Sequence, residues 1–544
     1  MTRRNLVGAW GGWAVVVLLL VAAVPARADV VLDWNDVLLE AIRVDRTVPP
    51  RASRAMAIVQ VSVYDSVVGI LGGYSPYHVA GTAPAGASPE AAVVAAAHRA
   101  LVALFPAQKA TFDARRASSL AGIPDGPAEQ AGIAWGEQVA GEILALRAGD
   151  GFDAAPIYEV PQGAGWWAPT PPALGTALLP GWGLVTPWSM TSGSQFRQGP
   201  QPAPNSSEYI RAFNEVKRVG RAGSASRTPD QTQIAFFWED GPGTYTPPGH
   251  WHEIAQNISR ARGLSLLENA RLFGLLGIAM ADAAIVSWDH KFAYHHWRPI
   301  TGIRRAGEDG NPATTADPAW ESLIPTPPFP SYTSGHSTFS GAASRVLALF
   351  FGTDAVAFTD DADPARWPEQ LTGVSRSFTS LSQAAEEAGQ SRVYGGIHWQ
   401  YDNQVGLASG RELGEYVFFS QLGVRAAAGV CAPSETAACL AGGRFRVEAQ
   451  FTTPQGATGI ARTVVDTADS ARFYFFEPDN TELVIKVLDG CAINDRFWVF
   501  ASGLTNVEVI LKVTDTETGR TRSYYNRQGQ AFQPVQDTGA FTCG

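Results

Sequence analysis

The segment FPSYTSGHSTFSGAAS, residues 329–344, places groups that bind anions and transfer protons next to one another. Ser334 offers a hydroxyl group, Gly335 lets a ligand approach its backbone N–H, and His336 can donate or accept a proton near neutral pH. The small and apolar residues that follow predict a helix, whose N-terminus would attract negative charge. The tripeptide alone is a weak signal, so its interpretation depends on other segments.

A second segment, WDHKFAYHHWRPITGIR at residues 288–304, supplies two cations. Lys291 and Arg298 are seven residues apart, so on a helix they share a face and lie about 10 Å apart along the axis. Pro299 disfavours helical geometry at the residue before it, so Arg298 is expected at a helix end or kink, free to reach inward. Several aromatic residues surround them, which is unusual for a solvated face: Trp288, Phe292, Tyr294 and Trp297.

A third segment, SRVYGGIHWQYDNQVG at residues 391–406, adds a cation, a histidine and a carboxylate. Asp402 follows His398 by four residues, and on a helix such residues are neighbours. The carboxylate could fix the tautomer of the imidazole and raise its basicity. A lone histidine beside a tryptophan is more often a core residue, so Arg392 and the other two segments carry the interpretation.

Together the three segments offer three cations, a Ser-Gly amide turn and two histidines in different surroundings. A tetrahedral oxyanion such as phosphate or vanadate needs this set: fixed positive charges, backbone and hydroxyl donors, one nucleophilic nitrogen and one proton carrier. The chain as a whole is acidic, with a formal net charge of −10. An acidic chain that gathers cations in an apolar pocket is expected to bind an anion there.

Residues 1–28 are predicted to be an export signal. Arg3 and Arg4 precede an apolar run and the small-residue cleavage site at residues 26–28, the three parts of a signal peptide. The run is too short for a membrane anchor, and general and twin-arginine export both remain open. Cleavage removes three arginines and no acid, so the net charge falls from −10 to −13. We expect a periplasmic or extracellular protein that binds neither nucleic acid nor, after cleavage, a membrane.

Residues 29–428 are predicted to form one mainly α-helical catalytic domain. Apolar residues recur at spacings of three and four in Ala-rich segments such as 52–71, 89–105 and 128–146, as in the helices of a bundle. The very apolar segment from Leu264 contains charged residues and is expected to be a buried helix rather than a membrane span. Residues 155–183 are rich in Pro, Gly and Trp, which predicts an irregular segment packed across the helices.

Residues 429–544 are predicted to form a small all-β, sandwich-like accessory domain. Short, partly alternating aromatic and β-branched segments are separated by turn residues. All four cysteines lie here, and in an exported protein they suggest two disulfides, with three possible pairings. We favour Cys431 with Cys439 and Cys491 with Cys543. The segment resembles a module appended to many exported bacterial proteins, a resemblance that implies no catalytic role or partner.

The three site segments resemble the signature of a known superfamily. Lys, six residues and Arg-Pro, then Ser-Gly-His, then Arg, five residues, His, three residues and Asp are similar to the vanadium-dependent haloperoxidases and the type-2 phosphatidic acid phosphatases. The strings WRP, FPSYTSGH and HWQYD resemble the haloperoxidase branch, and the resemblance covers about residues 30–425. It implies the helical-bundle fold of that family, with vanadate as cofactor and hydrogen peroxide, halide and an organic acceptor as small-molecule substrates.

The resemblance also implies a role for each matching residue. His398 would be the axial nitrogen ligand of vanadium. Five groups would hold the vanadate oxygens: Lys291, Arg298, Ser334, the Gly335 N–H and Arg392. His336 would be the acid-base group that helps to deprotonate hydrogen peroxide, and Lys291 would polarise the peroxide. The product would be hypohalous acid.

Halide preference depends on one position in this resemblance. Seven residues before the acid-base histidine, chloroperoxidase-like members carry Phe and many algal bromoperoxidases carry His; this chain has Phe329. With Trp288, this residue would form an apolar halide pocket. We expect oxidation of chloride and bromide.

The segment FWEDGPGTYTPPGHW, residues 237–251, is also similar to the family. Asp240 is expected to pair with Arg392 behind the site, and His250 is expected to line an access channel. A Gly/Pro loop with a helix cap explains the same residues equally well.

A phosphatase on the same scaffold is the alternative function. There His398 would attack phosphorus to form a phosphohistidine, and His336 would protonate the leaving alcohol. Vanadate mimics the phosphoryl transition state, so the residues alone do not separate the two activities.

Overall fold

The computed structural model describes residues 29–425 and 429–543. The predicted export signal, with Arg3, Arg4 and the cleavage site, lies outside the described residues. The predicted boundary at residue 428 also lies outside them.

Helices dominate the chain up to residue 420. The described residues of this part contain fourteen α-helices: α1 Val30–Asp45, α2 Pro49–Leu71, α3 Pro89–Leu104, α4 Lys109–Leu120, α5 Pro127–Arg147, α6 Ser207–Val219, α7 Pro229–Phe237, α8 Thr246–Arg262, α9 Leu266–Tyr294, α10 Pro299–Arg304, α11 Gly335–Phe351, α12 Pro368–Leu371, α13 Leu381–Tyr394 and α14 Gln400–Ser420. Three single turns of 3₁₀ helix accompany them: Pro106–Gln108, Trp182–Leu184 and Ala306–Glu308.

The long helix α9 lies at the centre of the helical part and carries Lys291 in its last turn. A capping box between Ser265 and Glu268 starts the helix, and His295 ends it in the left-handed conformation, with φ 49°. α2 and α9 are long and apolar enough to cross a membrane, but 83% and 94% of their apolar windows are buried within the fold. The expectation of a buried helix after Leu264 is therefore confirmed.

Two glycines let α11 and α14 pack closely. A Cβ at Gly410 would lie 2.2 Å from the Thr338 carbonyl oxygen, and one at Gly341 would lie 2.5 Å from the Leu407 carbonyl oxygen. Only glycine permits this approach. Because α11 starts at the Ser-Gly-His segment and α14 starts just after His398, the close packing brings two of the three site segments together.

Residues 155–183 cross the helices as an irregular segment, as predicted. The Trp167 N–H donates to the His295 carbonyl at 2.7 Å, and the Leu178 N–H donates to the Pro328 carbonyl at 2.9 Å. The segment therefore packs against both the end of α9 and the approach to the Ser-Gly-His turn.

A small antiparallel hairpin interrupts the helical part and was not predicted. It consists of β1, Phe358–Asp361, and β2, Ser375–Phe378. Each strand has only four residues, too few for a period-two pattern to stand out from the surrounding loops.

The chain after residue 429 forms two antiparallel sheets, confirming the β-rich expectation. Its described residues contain one short helix, α15 Cys491–Asn494, and ten strands: β3 Ala438–Leu440, β4 Phe445–Thr452, β5 Thr458–Ile460, β6 Arg462–Thr467, β7 Ser470–Tyr474, β8 Leu483–Asp489, β9 Arg496–Gly503, β10 Glu508–Asp515, β11 Thr521–Asn526 and β12 Val535–Thr542. One sheet has the order β11-β10-β4-β3, with β5 beside β4, and the other has the order β12-β9-β8-β7-β6.

The two sheets face each other in a sandwich-like arrangement. Alternate residues of β4, including Phe445, point into the shared core. The Phe445 ring lies 4.9 Å from that of Phe497 and 5.0 Å from that of Phe541 in the other sheet. Disulfides join Cys431 to Cys439 and Cys491 to Cys543, which confirms the favoured pairing.

The sheets also contact the helical part through α14. Arg527 Nη2 donates to Glu415 Oε2 at 2.7 Å, and the rings of Phe419 and Tyr525 stack with centroids 4.7 Å apart. This contact lies at the far end of α14 from His398.

Candidate active site

Hydrogen bonds join the three predicted site segments in the interior of the helical part. The Ser334 N–H donates to the Asp402 carbonyl at 3.0 Å. Arg298 Nη1 lies 2.9 Å from His398 Nε2, and Lys291 Nζ donates to the Ser331 carbonyl at 2.9 Å. Residues far apart in the sequence therefore form one buried polar cluster.

Arg298 reaches this cluster from the start of α10. α9 ends at Tyr294, so Lys291 and Arg298 do not share one helix as their spacing suggested; Arg298 is the extended N-cap residue before Pro299. Its guanidinium donates to the carbonyls of Phe329 and Ile397, both at 2.8 Å. Its Nη2 is buried and has no hydrogen-bond partner among the described residues. Burial lowers the pKa of Arg298 to about 9, which leaves it charged at neutral pH.

Arg392 enters from the last turn of α13. Its Nη1 donates to the Trp238 carbonyl at 2.7 Å, whereas its Nε is buried without a partner among the described residues. Burial lowers the pKa of Arg392 to about 10, against the opposing charges of Glu239 and Asp240. Arg392 therefore brings a second cation with an unused donor.

Lys291 is completely buried and lies against the loop before α11. Its ammonium group donates to three backbone carbonyls, those of Pro330 at 3.1 Å, Ser331 at 2.9 Å and Thr333. Burial and the neighbouring Arg298 lower the pKa of Lys291 well below its usual value. Contact between Lys291 and an anion requires the exchange of at least one of these carbonyl bonds.

His398 lies just before α14, and Asp402 lies in the first turn of that helix. His398 Nδ1 is 2.8 Å from Asp402 Oδ2, and the same carboxylate accepts the Trp399 N–H at 3.1 Å. The contact thus forms at the helix cap rather than between two turns of one helix. Burial, Arg298 and Lys291 lower the pKa of His398 well below its usual value, which indicates a neutral ring that donates through Nδ1 and has its lone pair at Nε2.

The Ser-Gly-His turn forms the N-terminus of α11. Ser334 is the N-cap residue, and its Oγ accepts the Ser337 N–H at 3.3 Å and lies 2.8 Å from Ser337 Oγ. Gly335 is the first helical residue, so its N–H has no partner within the helix. Both groups are buried and face the positive end of the helix dipole.

His336 is partly exposed, unlike the rest of the cluster. Its Nε2 lies 3.3 Å from the Glu239 carbonyl oxygen, and a carbonyl requires a donor, so Nε2 carries the hydrogen. Burial and Arg392 lower the pKa of His336 well below its usual value. The ring is therefore neutral, with Nδ1 as its proton acceptor.

Trp288 and Phe329, the two residues of the expected halide pocket, lie together beside the cations. Their ring centroids are 4.9 Å apart, and the Phe329 ring lies 5.2 Å from Lys291 Nζ and 4.7 Å from Arg298 Cζ. Cations beside aromatic faces make a place where a small anion can approach positive charge next to apolar surface.

Asp240 and His250 differ from expectation. The Asp240 carboxylate lies 3.0 Å from His250 Nδ1 and acts on Arg392 as a nearby charge; the described residues include no hydrogen bond between Asp240 and Arg392. The expected channel position of His250 is wrong, because His250 is 0% exposed. Its Nε2 instead lies 2.7 Å from Asp360 Oδ2.

Some contacts at the site were not foreseen from the sequence. Ser331 donates to the Asp402 carboxylate, and Ser337 Oγ lies 2.9 Å from Asn403 Oδ1. Carbonyls of residues 238 and 239 accept from Arg392 and His336. Ser331 lies within the recognised segment, so its hydroxyl was a usable signal; the carbonyl contacts depend only on the folded backbone.

The donor set fits a tetrahedral oxyanion. Two buried guanidinium nitrogens, Arg298 Nη2 and Arg392 Nε, lack partners among the described residues, and a buried charged donor without a partner is costly. An oxyanion would satisfy both donors and would place negative charge beside two guanidinium groups that repel each other. The Nε2 lone pair of His398 is the kind of nitrogen ligand that such a centre requires. It now faces Arg298 Nη1 at 2.9 Å, so binding an ion there requires the exchange of this contact.

Comparisons with known proteins agree with this reading of the fold. The family model of the VCPO second helical-bundle domain matches residues 271–422. Vanadium chloroperoxidase from Curvularia inaequalis is 28% identical in an alignment of 281 positions that covers 41% of this chain and 46% of that protein. The match therefore spans less than half of that relative's length.

Solved structures extend the likeness over most of the helical part. A bacterial vanadium-dependent iodoperoxidase aligns with a TM-score of 0.62 and 32% identity, over 71% of this chain and 95% of that one. The holo form of a bacterial vanadium-dependent chloroperoxidase aligns with a TM-score of 0.55 over 68% and 92% of the two chains, at 17% identity, which supports a common fold alone.

Proposed function

This chain belongs to the family of vanadium-dependent haloperoxidases, and we propose that it oxidises chloride or bromide with hydrogen peroxide to hypohalous acid, which halogenates organic compounds. The observation that carries the proposal is a pair of buried guanidinium nitrogens, Arg298 Nη2 and Arg392 Nε, that lack partners among the described residues. They lie beside His398, whose Nδ1 is held by Asp402 and whose Nε2 lone pair faces Arg298 Nη1.

We assign the vanadate cofactor to this cluster. His398 is the proposed nitrogen ligand through Nε2. The vanadate oxygens are held by Lys291, Arg298, Ser334, the Gly335 N–H and Arg392. When bound, vanadate supplies Lewis-acid activation of hydrogen peroxide with no change in the oxidation state of the metal.

The protein's own contribution is to orient groups and move protons. Asp402 accepts a hydrogen bond from the Nδ1–H of His398. This contact fixes the tautomer with its lone pair at Nε2, on the side of the ring away from the carboxylate. His336, neutral and with Nε2–H held by the Glu239 carbonyl, accepts a proton from hydrogen peroxide at Nδ1. The negative charge of a bound oxyanion favours that protonation, and His336 can return the proton when hypohalous acid leaves.

We place the halide beside Trp288 and Phe329. The rings exclude water, while Lys291 and Arg298 supply positive charge at the edge of the pocket. Chloride is smaller than bromide or iodide and therefore the most strongly hydrated. Removal of its water raises its reactivity toward an oxidant the most. One protein of similar structure is an iodoperoxidase, so iodide belongs among the halides tested.

The assay that tests this function is halogenation of monochlorodimedone by purified apoprotein with hydrogen peroxide and, in separate reactions, chloride, bromide or iodide. We expect activity with chloride or bromide only after orthovanadate is added, and inhibition by phosphate, which competes for the same donors. Iodide oxidation alone would overturn the halide assignment. Turnover of p-nitrophenyl phosphate without any vanadate-dependent halogenation would instead assign the site to a phosphatase.

Export and domain organisation are separate proposals. A signal at residues 1–28, supported by the two disulfides, would deliver the protein to the periplasm or the medium. N-terminal sequencing of the secreted protein should then begin at Asp29. We propose that residues 29–428 carry catalysis and that residues 429–544 form an accessory domain.

A further inference from the structure

One short segment, residues 238–240, lies along the edge of the candidate active site. The Trp238 carbonyl accepts Arg392 Nη1 at 2.7 Å. The next carbonyl, that of Glu239, lies 3.3 Å from His336 Nε2. The direction of a guanidinium and of an imidazole at the site therefore depends on where this segment lies.

The 238–240 segment follows the end of α7 and has no regular structure of its own. Asp240 has φ 48°, a left-handed conformation that residues other than glycine adopt infrequently. Contacts from elsewhere in the fold must hold the segment in this shape.

His250, in the first turns of α8, supplies those contacts. Its Nδ1 lies 3.0 Å from Asp240 Oδ2, and its ring stacks on Trp238 with centroids 4.4 Å apart and an interplanar angle of 26°. The buried side chain of His250 thus contacts both ends of the 238–240 segment.

His250 is itself fixed from its other side. Its Nε2 lies 2.7 Å from Asp360 Oδ2 on β1, and all three side chains are buried. Both ring nitrogens face carboxylates, so both act as donors and the ring carries a positive charge. Burial lowers the pKa of His250, but Asp240 and Asp360 outweigh this and raise it well above its usual value.

We propose that His250 is a positioning residue of the active site: it holds Trp238 and Asp240 against α8, while Asp360 on β1 fixes its ring from the other side, and so it fixes the two carbonyls that orient Arg392 and His336. The inference rests on the proposed oxyanion site. It also gives the β1–β2 hairpin a role, because that hairpin carries the carboxylate behind His250.

The test uses the full-length His250→Gln variant, which keeps a polar side chain but carries its donors on a single nitrogen, so it cannot reach carboxylates on opposite sides. The dissociation constant of orthovanadate is measured by calorimetric titration of apoprotein, with inorganic phosphate as a second anion. Loss of a group that orients a ligand typically costs about 10–100-fold in affinity, and we expect a weakening of at least about tenfold for both anions. In turnover, kcat should fall while the KM for halide stays unchanged.

His252→Gln is the matched control. His252 lies on the same helix and is equally buried, but it contacts Asn35 at 3.1 Å instead of the 238–240 segment. Its thermal midpoint should fall as in His250→Gln, whereas its vanadate affinity should equal that of the wild type. Equal vanadate affinities for all three proteins would overturn the inference and leave His250 a purely structural residue.

Asp360→Asn decides the matter if His250→Gln does not fold. This substitution weakens the contact between Asp360 and His250, on the side of His250 away from the active site. We expect weaker vanadate binding than in the wild type, as for His250→Gln. Unchanged binding would overturn the inference. Failure of the wild-type apoprotein to bind vanadate or phosphate would instead reject the proposed function, so the two failures are distinguishable.

Discussion

His398 and Asp402 are joined by a hydrogen bond of 2.8 Å between Nδ1 and Oδ2 at the start of α14. The carboxylate also accepts the Trp399 N–H, so it positions both the histidine and the helix cap. An anion site that uses the opposite nitrogen of His398 depends on this pairing, because a donor at Nδ1 places the lone pair at Nε2. That lone pair faces Arg298 Nη1 at 2.9 Å and can serve as a ligand once this contact is exchanged.

Asp402→Asn should therefore weaken vanadate binding by about 10–100-fold. An amide can still meet Nδ1, but it no longer selects the tautomer that has its proton there. The dissociation constant of orthovanadate, measured on apoprotein, checks this result. Asp36→Asn is a control for the lost charge, since Asp36 forms an exposed ion pair with Arg260 far from the site; equal binding by both variants would contradict the role of Asp402.

The two site histidines should fail in different ways. His398→Ala should lose tight vanadate retention, because the proposed nitrogen ligand is gone. His336→Ala should retain vanadate but lose turnover by about 10²–10⁴-fold, the usual contribution of a general acid-base group. Vanadium content after gel filtration and the halogenation rate are measured on both variants, and the opposite pattern would reverse the assigned roles.

Gly410→Ala should disrupt the site from a distance. Its Cβ would lie 2.2 Å from the Thr338 carbonyl oxygen, so α11 and α14 must move apart. We expect a loss of about 1–3 kcal/mol in the free energy of unfolding, together with weaker vanadate binding, because Ser334 and His398 sit on the two displaced elements. Gly149→Ala, with no atom within 4 Å of its added Cβ, should behave like the wild type in urea unfolding and vanadate titration.

Local spacing in the sequence predicted part of the site, whereas contacts between distant residues appeared only in the folded structure. Spacing within a segment identified Lys291, Arg298, His336 and His398, and the apolar pattern after Leu264 indicated a buried helix; these are local signals. The burial of His250 was not foreseen, because its partner Asp360 lies 110 residues away on a hairpin of four-residue strands. Carbonyl contacts to Lys291 and Arg392 have no side-chain signature, so they became visible only in the fold.

Stability should depend on pH through His250. Burial lowers the pKa of His250, but Asp240 and Asp360 raise it well above its usual value. This contribution to the free energy of unfolding is fully present below the unfolded-state pKa of about 6.5 and is lost as pH rises through the folded-state pKa, at about 1.4 kcal/mol per pH unit. In urea unfolding between pH 6 and 9, the stability difference between the wild type and His250→Gln should shrink as pH rises.

His252→Gln separates this effect from general loss of a buried histidine. Burial lowers the pKa of His252 to about 3, so the residue is neutral in both the folded and unfolded states above about pH 6.5. Its stability difference from the wild type should therefore be constant over the upper part of that range. Parallel curves for the two variants would show that His250 does not carry the predicted charge.

Phe329→His tests the halide pocket. The Phe329 ring packs 4.9 Å from Trp288 and faces Lys291 and Arg298, and a histidine there would bring a polar group and its water into the apolar wall. Water that stays around a halide lowers its nucleophilicity, and the effect is larger for the more strongly hydrated chloride than for bromide, so chloride oxidation should suffer more. A difference of about 1.4 kcal/mol between the two barriers changes the ratio of kcat/KM values about tenfold. Steady-state rates with each halide measure that ratio. Phe292→His is the control, because the Phe292 ring packs on Tyr158. An unchanged ratio in Phe329→His would show that Phe329 does not select the halide and would assign halide selectivity to the cations and the bound cofactor.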